Sequence, residues 1–266
     1  MNKLSLDTRT KILQAFAYLG FIYTLFFQFD ISWLIPSLVF SWLIFLLGAS
    51  LGLHKYSSHR SFEPKNKFYK IIMLFSSTIL CLGSNLSWAS THRKHHQFSD
   101  QPNDPHSSNN TPSFWRSIKL WFYYFPTYHI NPSIVKDLTV DPIHKFFHRN
   151  YFKINIGYLL VLGVIDIKLA CYFYFVPVIY TFTAISYITV LAHNPWLSKF
   201  GYKNVDSRDL SFNSRVASIF VPGDGNHNNH HGRPGMASNK IADRDWDFGF
   251  WLVKLIGRLP KKKIEH

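Results

Sequence analysis

Four apolar stretches, separated by polar and basic sequence, set the hydropathy pattern of this 266-residue chain. Ile12 to Phe29 and Ile31 to Leu53 are nearly free of charge. At about 1.5 Å per helical residue each is long enough to cross ~30 Å of hydrocarbon. Only Asp30 stands between them, so the pattern predicts a tight helical hairpin. A second hairpin is predicted from Tyr151 to Ile165 and from Leu169 to Leu191, turning at Asp166–Lys168. Its first arm is short, and Lys153 must snorkel toward the interface. Pro36 and Pro177 fall inside spans, where neighbouring helices tolerate them.

A fifth apolar segment, Phe68 to Ser90, mimics a span but carries Ser76, Ser77, Thr78, Ser84, Asn85 and Ser87. A crossing here would put the histidines before and after it on opposite faces of the membrane. A buried or interfacial helix on the polar side is expected instead. The stretch from Gln97 to Thr111, rich in Asn, Asp, Ser and Pro, reads as a connecting loop. Lys and Arg are absent from the Asp30 turn, and the other turn has only Lys168. The rest, including Lys261-Lys262-Lys263, lie on or near the opposite side, so both termini are expected in the cytoplasm. The fold class expected is thus an all-α integral membrane protein with four spans in two hairpins. A cytoplasmic helical cap, 54–150 and 192–266, completes a single domain over residues 1–266.

Composition agrees with this. Aromatic residues make up 18% of the chain (25 Phe, 14 Tyr, 8 Trp), and Trp and Tyr favour membrane–water interfaces. No small-residue cleavage site follows the first apolar run, so it is expected to remain as an anchor. Cys81 and Cys171 form no metal-like or disulfide spacing and read as buried, inert thiols. The net charge of +14 fits cytoplasmic loops and attraction of an acidic redox partner or anionic head group. Nothing in the chain resembles a nucleic-acid-binding module.

Candidate chemistry lies in the histidines. Nine of fourteen form a pattern: His54-x4-His59, His92-x2-His95-His96, a lone His193, and His227-x2-His230-His231. On a helix, positions i, i+3 and i+4 fall within roughly 100° of arc, so each triplet projects three imidazoles to one face. Such a triplet bridges two ions, or grips one and lends a ligand to the next. His54 and His59 diverge by about 140° on a regular helix. They serve different ions, or the helix unwinds between them. With the expected topology all nine lie on one side of the membrane, more than one ion can use. His106, His129, His144, His148 and His266 lack clustering and read as surface or loop residues. Without a thiolate, structural zinc and iron–sulfur clusters are disfavoured, while imidazole alone suits Zn, Cu, Fe and Ni alike.

The order HxxxxH, HxxHH, HxxHH resembles the membrane-bound fatty acid desaturases, particularly the stearoyl-CoA (Δ9) type. The likeness covers "GLHKYSSHRSF" (Gly52–Phe62) and "WASTHRKHHQFSD" (Trp88–Asp100), the latter followed by Asp104-Pro105-His106-Ser107. It continues through "DSRDLSFNSRVAS" to "GDGNHNNHHGRP" (Asp206–Pro234), and "DWDFGFWLVKLIGRL" is similar to the family's amphipathic C-terminal helix. The resemblance implies a di-iron centre in the cytoplasmic cap, held by His54, His59, His92, His95, His96, His193, His227, His230 and His231. It implies that Trp88 lines a bent acyl tunnel. It also implies a reaction in which O2 and two electrons convert adjacent methylenes to a cis double bond. Position would then be chosen by tunnel length and bend, because a saturated chain has no polar handle at that bond.

Two departures stand out. Thr189 occupies the position, four before the lone His193, where relatives carry an Asn that reaches iron through water. Gly223-Asp224-Gly225-Asn226 replaces Gly-Glu-Gly and an aromatic residue, with Asp224 keeping a carboxylate behind the ligands. The substrates implied are acyl-CoA, acyl-carrier or acyl-lipid. No His-Pro-Gly-Gly heme motif is present, so electrons are expected from a separate ferredoxin, rubredoxin or cytochrome b5. A bacterial-type plasma membrane is the expected location, with endoplasmic reticulum as the alternative. The alternative activity is a di-iron lipid or carotenoid hydroxylase, because both reactions share the first hydrogen abstraction.

Overall fold

The computed structural model describes residues 5–105 and 130–260, so His106, His129, His266 and the Lys261–Lys263 run lie outside the described residues. Helix α1 (Leu6–Phe27) begins where the Ser5 hydroxyl accepts from the Thr8 amide, a turn and a half before the predicted Ile12. Asp30 caps α2 by accepting from the Ser32 amide. Helix α2 runs unbroken over Ile31–Ser58, five residues beyond the predicted Leu53. From Phe45 it winds as a wide π-helix. The second hairpin pairs α7 (Tyr151–Ile165) with α8 (Ile167–Leu191), turning at Asp166. Helices α1, α2 and α8 are, among the described residues, long and apolar enough to cross a membrane, and α7 is a shorter apolar helix of 15 residues. Side chains such as Phe26 (77% exposed) and Val164 (85% exposed) are bare, which is costly in water and natural against lipid.

The two hairpin turns lie at one end of the bundle. Lys168 Nζ meets Asp30 Oδ2 at 2.7 Å, and the Tyr172 hydroxyl donates to the Gln28 carbonyl at 2.9 Å. Lys168 and the Asp30 turn are thereby tied together.

The Phe68–Ser90 segment is two helices rather than the single one expected. Helix α3 (Lys67–Ile79) ends, and α4 (Asn85–Phe98) starts after a turn with φ of +58° at Cys81 and +97° at Gly83. A left-handed residue stops an α-helix, and glycine tolerates that conformation without strain. The turn is fixed from beneath by buried polar groups. Gln14 of α1 donates to the Cys81 carbonyl at 3.1 Å, Cys81 Sγ donates to Asn155 Oδ1 at 3.1 Å, and Asn155 Nδ2 donates to the Thr78 and Tyr151 carbonyls. Buried polar atoms cost about 1–3 kcal/mol each when unpaired, so this network specifies where the chain doubles back. Both cysteines are fully buried free thiols.

Helix α3 lies against the wide part of α2, close enough that a Cβ at Gly48 would sit 2.6 Å from the Ser76 backbone. Short helices α5 (Lys136–Thr139) and α6 (Pro142–Arg149) follow. His144 and His148 lie on α6, and neither is the surface residue expected. His144 is 1% exposed, accepts from Asn85 Nδ2 at 2.5 Å and stacks on Tyr56 at 5.3 Å. His148 Nδ1 pairs with the Ser84 hydroxyl at 2.7 Å. Both brace α6 against the start of α4. Helices α9 (Arg215–Phe220), α10 (His227–Gly232) and α11 (Phe248–Ile256) complete the polar end. A two-residue antiparallel pairing, Glu63–Pro64 with Gly257–Arg258, ties the chain after α11 to the segment after α2.

Candidate metal centre

The winding of α2 decides how its histidines point. The His59 amide donates to the His54 carbonyl at 3.2 Å, an i→i+5 bond. The Ser57 and Ser58 hydroxyls turn back to the Gly52 and Leu53 carbonyls, also five residues away. Widening the turn brings residues five apart onto one side, a geometry that recurs at functional sites. Both residues therefore join the same ligand set. Of the two alternatives read from the sequence, the altered winding between His54 and His59 is what the structure shows, and it places both in one group of imidazoles.

The nine histidines converge into two sets. His54, His59, His92, His96 and His230 form one; His95, His193, His227 and His231 form the other, with ligand atoms in each set within 4.8 Å of one another. Each triplet is divided: His92 and His96 leave α4 on one side of His95, and His230 leaves α10 apart from His227 and His231. In the five-member set Nε2 atoms run His54–His230 (2.8 Å), His230–His96 (3.0 Å), His96–His92 (3.1 Å) and His92–His59 (2.9 Å). In the other, His193 and His227 Nε2 are 2.9 Å apart. The His59–His92 contact also requires that the chain return between them to the same side, as the α3–α4 break allows.

The residues fit a metal better than they fit one another. Each neutral imidazole nitrogen has either one hydrogen or one lone pair, so a run of five Nε2 atoms cannot satisfy all four contacts with linear hydrogen bonds. Nitrogens about 2.1 Å from one ion at right angles would lie about 3 Å apart, matching these separations. His227 Nδ1, His230 Nδ1 and His231 Nε2 are buried without a protein hydrogen-bond partner. For His231 this leaves Nε2 as the atom aimed into its set. Burial holds His59, His92, His96, His227 and His230 well below the usual imidazole pKa, and like charge from neighbouring histidines adds to it. Neutral imidazole is the ligating form.

Carboxylates orient the other edge of four rings. His54 Nδ1 donates to Asp224 at 2.6 Å, His95 Nδ1 to both oxygens of Asp104 at 2.9 Å, His193 Nδ1 to Asp100 at 2.8 Å, and His231 Nδ1 to Asp209 at 2.6 Å. Such partners fix the tautomer with Nε2 as the lone-pair nitrogen and raise its basicity. Burial lowers the His231 pKa to about 4 even with Asp209 opposing. At His193 burial is the largest single effect, but the Asp100 hydrogen bond and the charges of Asp100, Asp209 and Asp104 together outweigh it, and the net shift is upward. Asp209 is itself held well below the carboxylate range: burial raises it, but the His231 hydrogen bond and charge lower it more. Asp224 was legible in the sequence. Asp100, Asp104 and Asp209 were quoted there only as parts of motifs. For Asp100 and Asp104 the signal was acidity just after the second histidine cluster, in a chain with 15 acids against 29 bases; Asp209, 18 residues before His227, had no such signal.

A narrow cavity of about 20 Å³ touches one set at His54 and His92 and the other at His95 and His227, beside Asp224, with Ala49, Trp88, Ile185, Ile188 and Thr189 completing its wall. Trp88 is 4% exposed and lies parallel to His92 at 6.0 Å. The Thr189 hydroxyl bonds back to the Ile185 carbonyl at 3.0 Å, so it lines the cavity while held on its own helix.

Comparison with known proteins gives the same picture. The sequence profile described as "Fatty acid desaturase" matches residues 42–245. The chain is 32% identical over 222 residues to the sn-1 stearoyl-lipid 9-desaturase of Anabaena variabilis, covering 83% of this chain and 79% of that protein. It is 29% identical to the sn-2 palmitoyl-lipid 9-desaturase of Nostoc sp. (strain 36), over 84% and 77%. With the hex-5-enoyl-[acyl-carrier protein] acetylenase of Moorena producens (strain JHB) identity is 28%, over 81% and 71%. The matched region contains all nine clustered histidines, and the chain belongs to the fatty acid desaturase family, oxidoreductases that desaturate acyl chains.

Proposed function

We propose that this protein is a di-iron desaturase that places a cis double bond at C9 of a glycerolipid-bound acyl chain. The observation that carries the reading is the convergence of nine imidazoles into two sets, four of them oriented by carboxylates. The ligands are His54, His59, His92, His96 and His230 at one iron, and His95, His193, His227 and His231 at the other. Position 9 and the lipid carrier are supported by the names of the relatives from Anabaena and Nostoc. The acyl-carrier substrate named for the Moorena relative marks the alternative carrier. Helices α1, α2, α7 and α8 are the four spans, within a single domain. Both termini lie on the cytoplasmic side of a bacterial-type plasma membrane, opposite the turns, which carry a single basic residue, Lys168.

Overall, –CH2–CH2– + O2 + 2 electrons + 2 H+ gives –CH=CH– + 2 H2O. Bound iron supplies the oxygen-dependent oxidising power that unactivated methylenes require. The protein's own residues do the rest. Asp224, Asp104, Asp100 and Asp209 hold four rings with Nε2 presented inward. Ala49, Trp88, Ile185 and Ile188 give an apolar wall that aligns hydrocarbon beside both sets and excludes water. Positioning of this kind, rather than acid–base chemistry, selects the bond. Electrons come from a separate acidic carrier of ferredoxin, rubredoxin or cytochrome b5 type, attracted by the basic surface.

The test is the fatty-acid profile of host membranes expressing the chain beside a His95→Ala control. Disulfide-tagged methyl esters resolved by gas chromatography–mass spectrometry locate the double bond. A new 9-monounsaturated acid confined to the intact chain is the expected result. Hydroxylated acids instead would replace desaturation by hydroxylation.

A further inference from the structure

Arg93 stands between His92 and His95 on α4 and uses every donor it has. Its Nε donates to the Ser58 carbonyl at 2.7 Å and Nη2 to the Ser57 carbonyl at 2.9 Å. Nη1 reaches the Ile134 carbonyl at 2.7 Å, and the fork closes on Asp137 of α5 at 2.7 and 2.9 Å. Ser57 and Ser58 are the last residues of the wide helix that carries His54, and His59 follows directly. Carbonyls at a helix end lack intrahelical partners, and a π-wound end is harder to satisfy because its hydroxyls already point backward. One planar cation therefore caps α2 and fixes it to α4. A lysine, with three donors on a flexible stem, cannot reproduce this fork. Asp137 in turn receives Arg60 Nη1 at 3.2 Å, so the residue after His59 is held from the same carboxylate.

We infer that Arg93, with Asp137, is a positioning residue that sets the register between α2 and α4 for one iron and not for the other. Four of the five members of one set, His54, His59, His92 and His96, come from these two helices or their edge. In the other set only His95 does; His193, His227 and His231 sit on elements Arg93 does not touch. The inference rests on the two-iron reading above. It differs from a general bracing role because the two sites must respond unequally.

Ferrous iron affinity decides it, read by chelator competition on the purified full-length chain in detergent. Arg93→Gln is expected to weaken one of two irons by about 10- to 100-fold, the range for losing a group that orients ligands, leaving the second at wild-type affinity. In a His59→Ala background the same change should add nothing, whereas in His227→Ala the losses should add. Equal weakening of both irons, or wild-type affinity with only a lowered Tm, overturns the inference. If Arg93→Gln does not fold, Asp137→Asn, which leaves the carbonyl contacts of Arg93 in place, is read by the same criteria. Wild-type protein holding fewer than two irons overturns the two-iron reading itself, and this inference with it.

Discussion

His54 Nδ1 and Asp224 Oδ1 lie 2.6 Å apart although 170 residues separate them. The bond joins the first histidine cluster to the loop that precedes the third, and both partners are buried. Neutralising the acceptor in Asp224→Asn keeps a hydrogen-bond oxygen but removes the charge that makes His54 Nε2 basic. Iron affinity should fall by about 10- to 100-fold with little change in expression. Metal content per chain after dialysis against a weak chelator measures it; full retention would remove Asp224 from the centre.

Loss of a ligand should be far more severe. Desaturation by His95→Ala should fall below detection, and bound iron should drop by at least one equivalent per chain. Full turnover by this variant would refute the ligand assignment. The Asp104→Ala variant, which leaves His95 in place but unoriented, should retain measurable activity and bind iron more weakly.

Thr189 lines the cavity but spends its hydroxyl on the Ile185 carbonyl. Asn in its place carries the amide one bond further, beyond reach of that carbonyl competition. Thr189→Asn should preserve or raise turnover, with unchanged Tm. Complete loss of activity in folded protein would show that the small side chain is needed for the acyl chain itself.

Burial lowers the His144 pKa to about 4. Unfolded histidine takes up its proton near ~6.5. Between those values the unfolded state binds more protons, so stability is lost as pH falls from about 6.5 toward 4. The full shift corresponds to about 3 kcal/mol at most. Tm measured in detergent over this window should fall less steeply in His144→Leu than in wild type. Parallel curves would mean that His144 is not held neutral in the fold.

Gly223 has φ +88°, and a Cβ there would come 2.2 Å from Ser50 Oγ. Gly223→Ala combines backbone strain of about 1–3 kcal/mol with a clash against α2, so Tm should drop. Adding Ser50→Gly should recover the steric part only. An unchanged Tm in the single variant would show that the loop moves freely.

Several features needed nothing beyond the sequence. Hydropathy located three helices long and apolar enough to cross a membrane and the shorter apolar α7, because burial in lipid demands unbroken apolar runs, and the ends predicted for α7 agree with the structure. Histidines at spacings of three and four are local facts of helix geometry, so the nine could be picked out one cluster at a time. How those clusters divide into two groups was decided by tertiary structure. The division of each triplet depends on which neighbour faces α4 and α10. The joining of His54 with His59 depends on π-winding that α3 and Arg93 support from outside the helix. The same holds for the break at Cys81 and Gly83 within an apolar segment that looked continuous, and for His144, isolated in sequence yet buried between Asn85 and Tyr56. The carboxylates Asp100, Asp104 and Asp209 acquire a role only once folding places them behind His193, His95 and His231. Periodicity records which face of an element is apolar; it carries no information about the partner that face will meet.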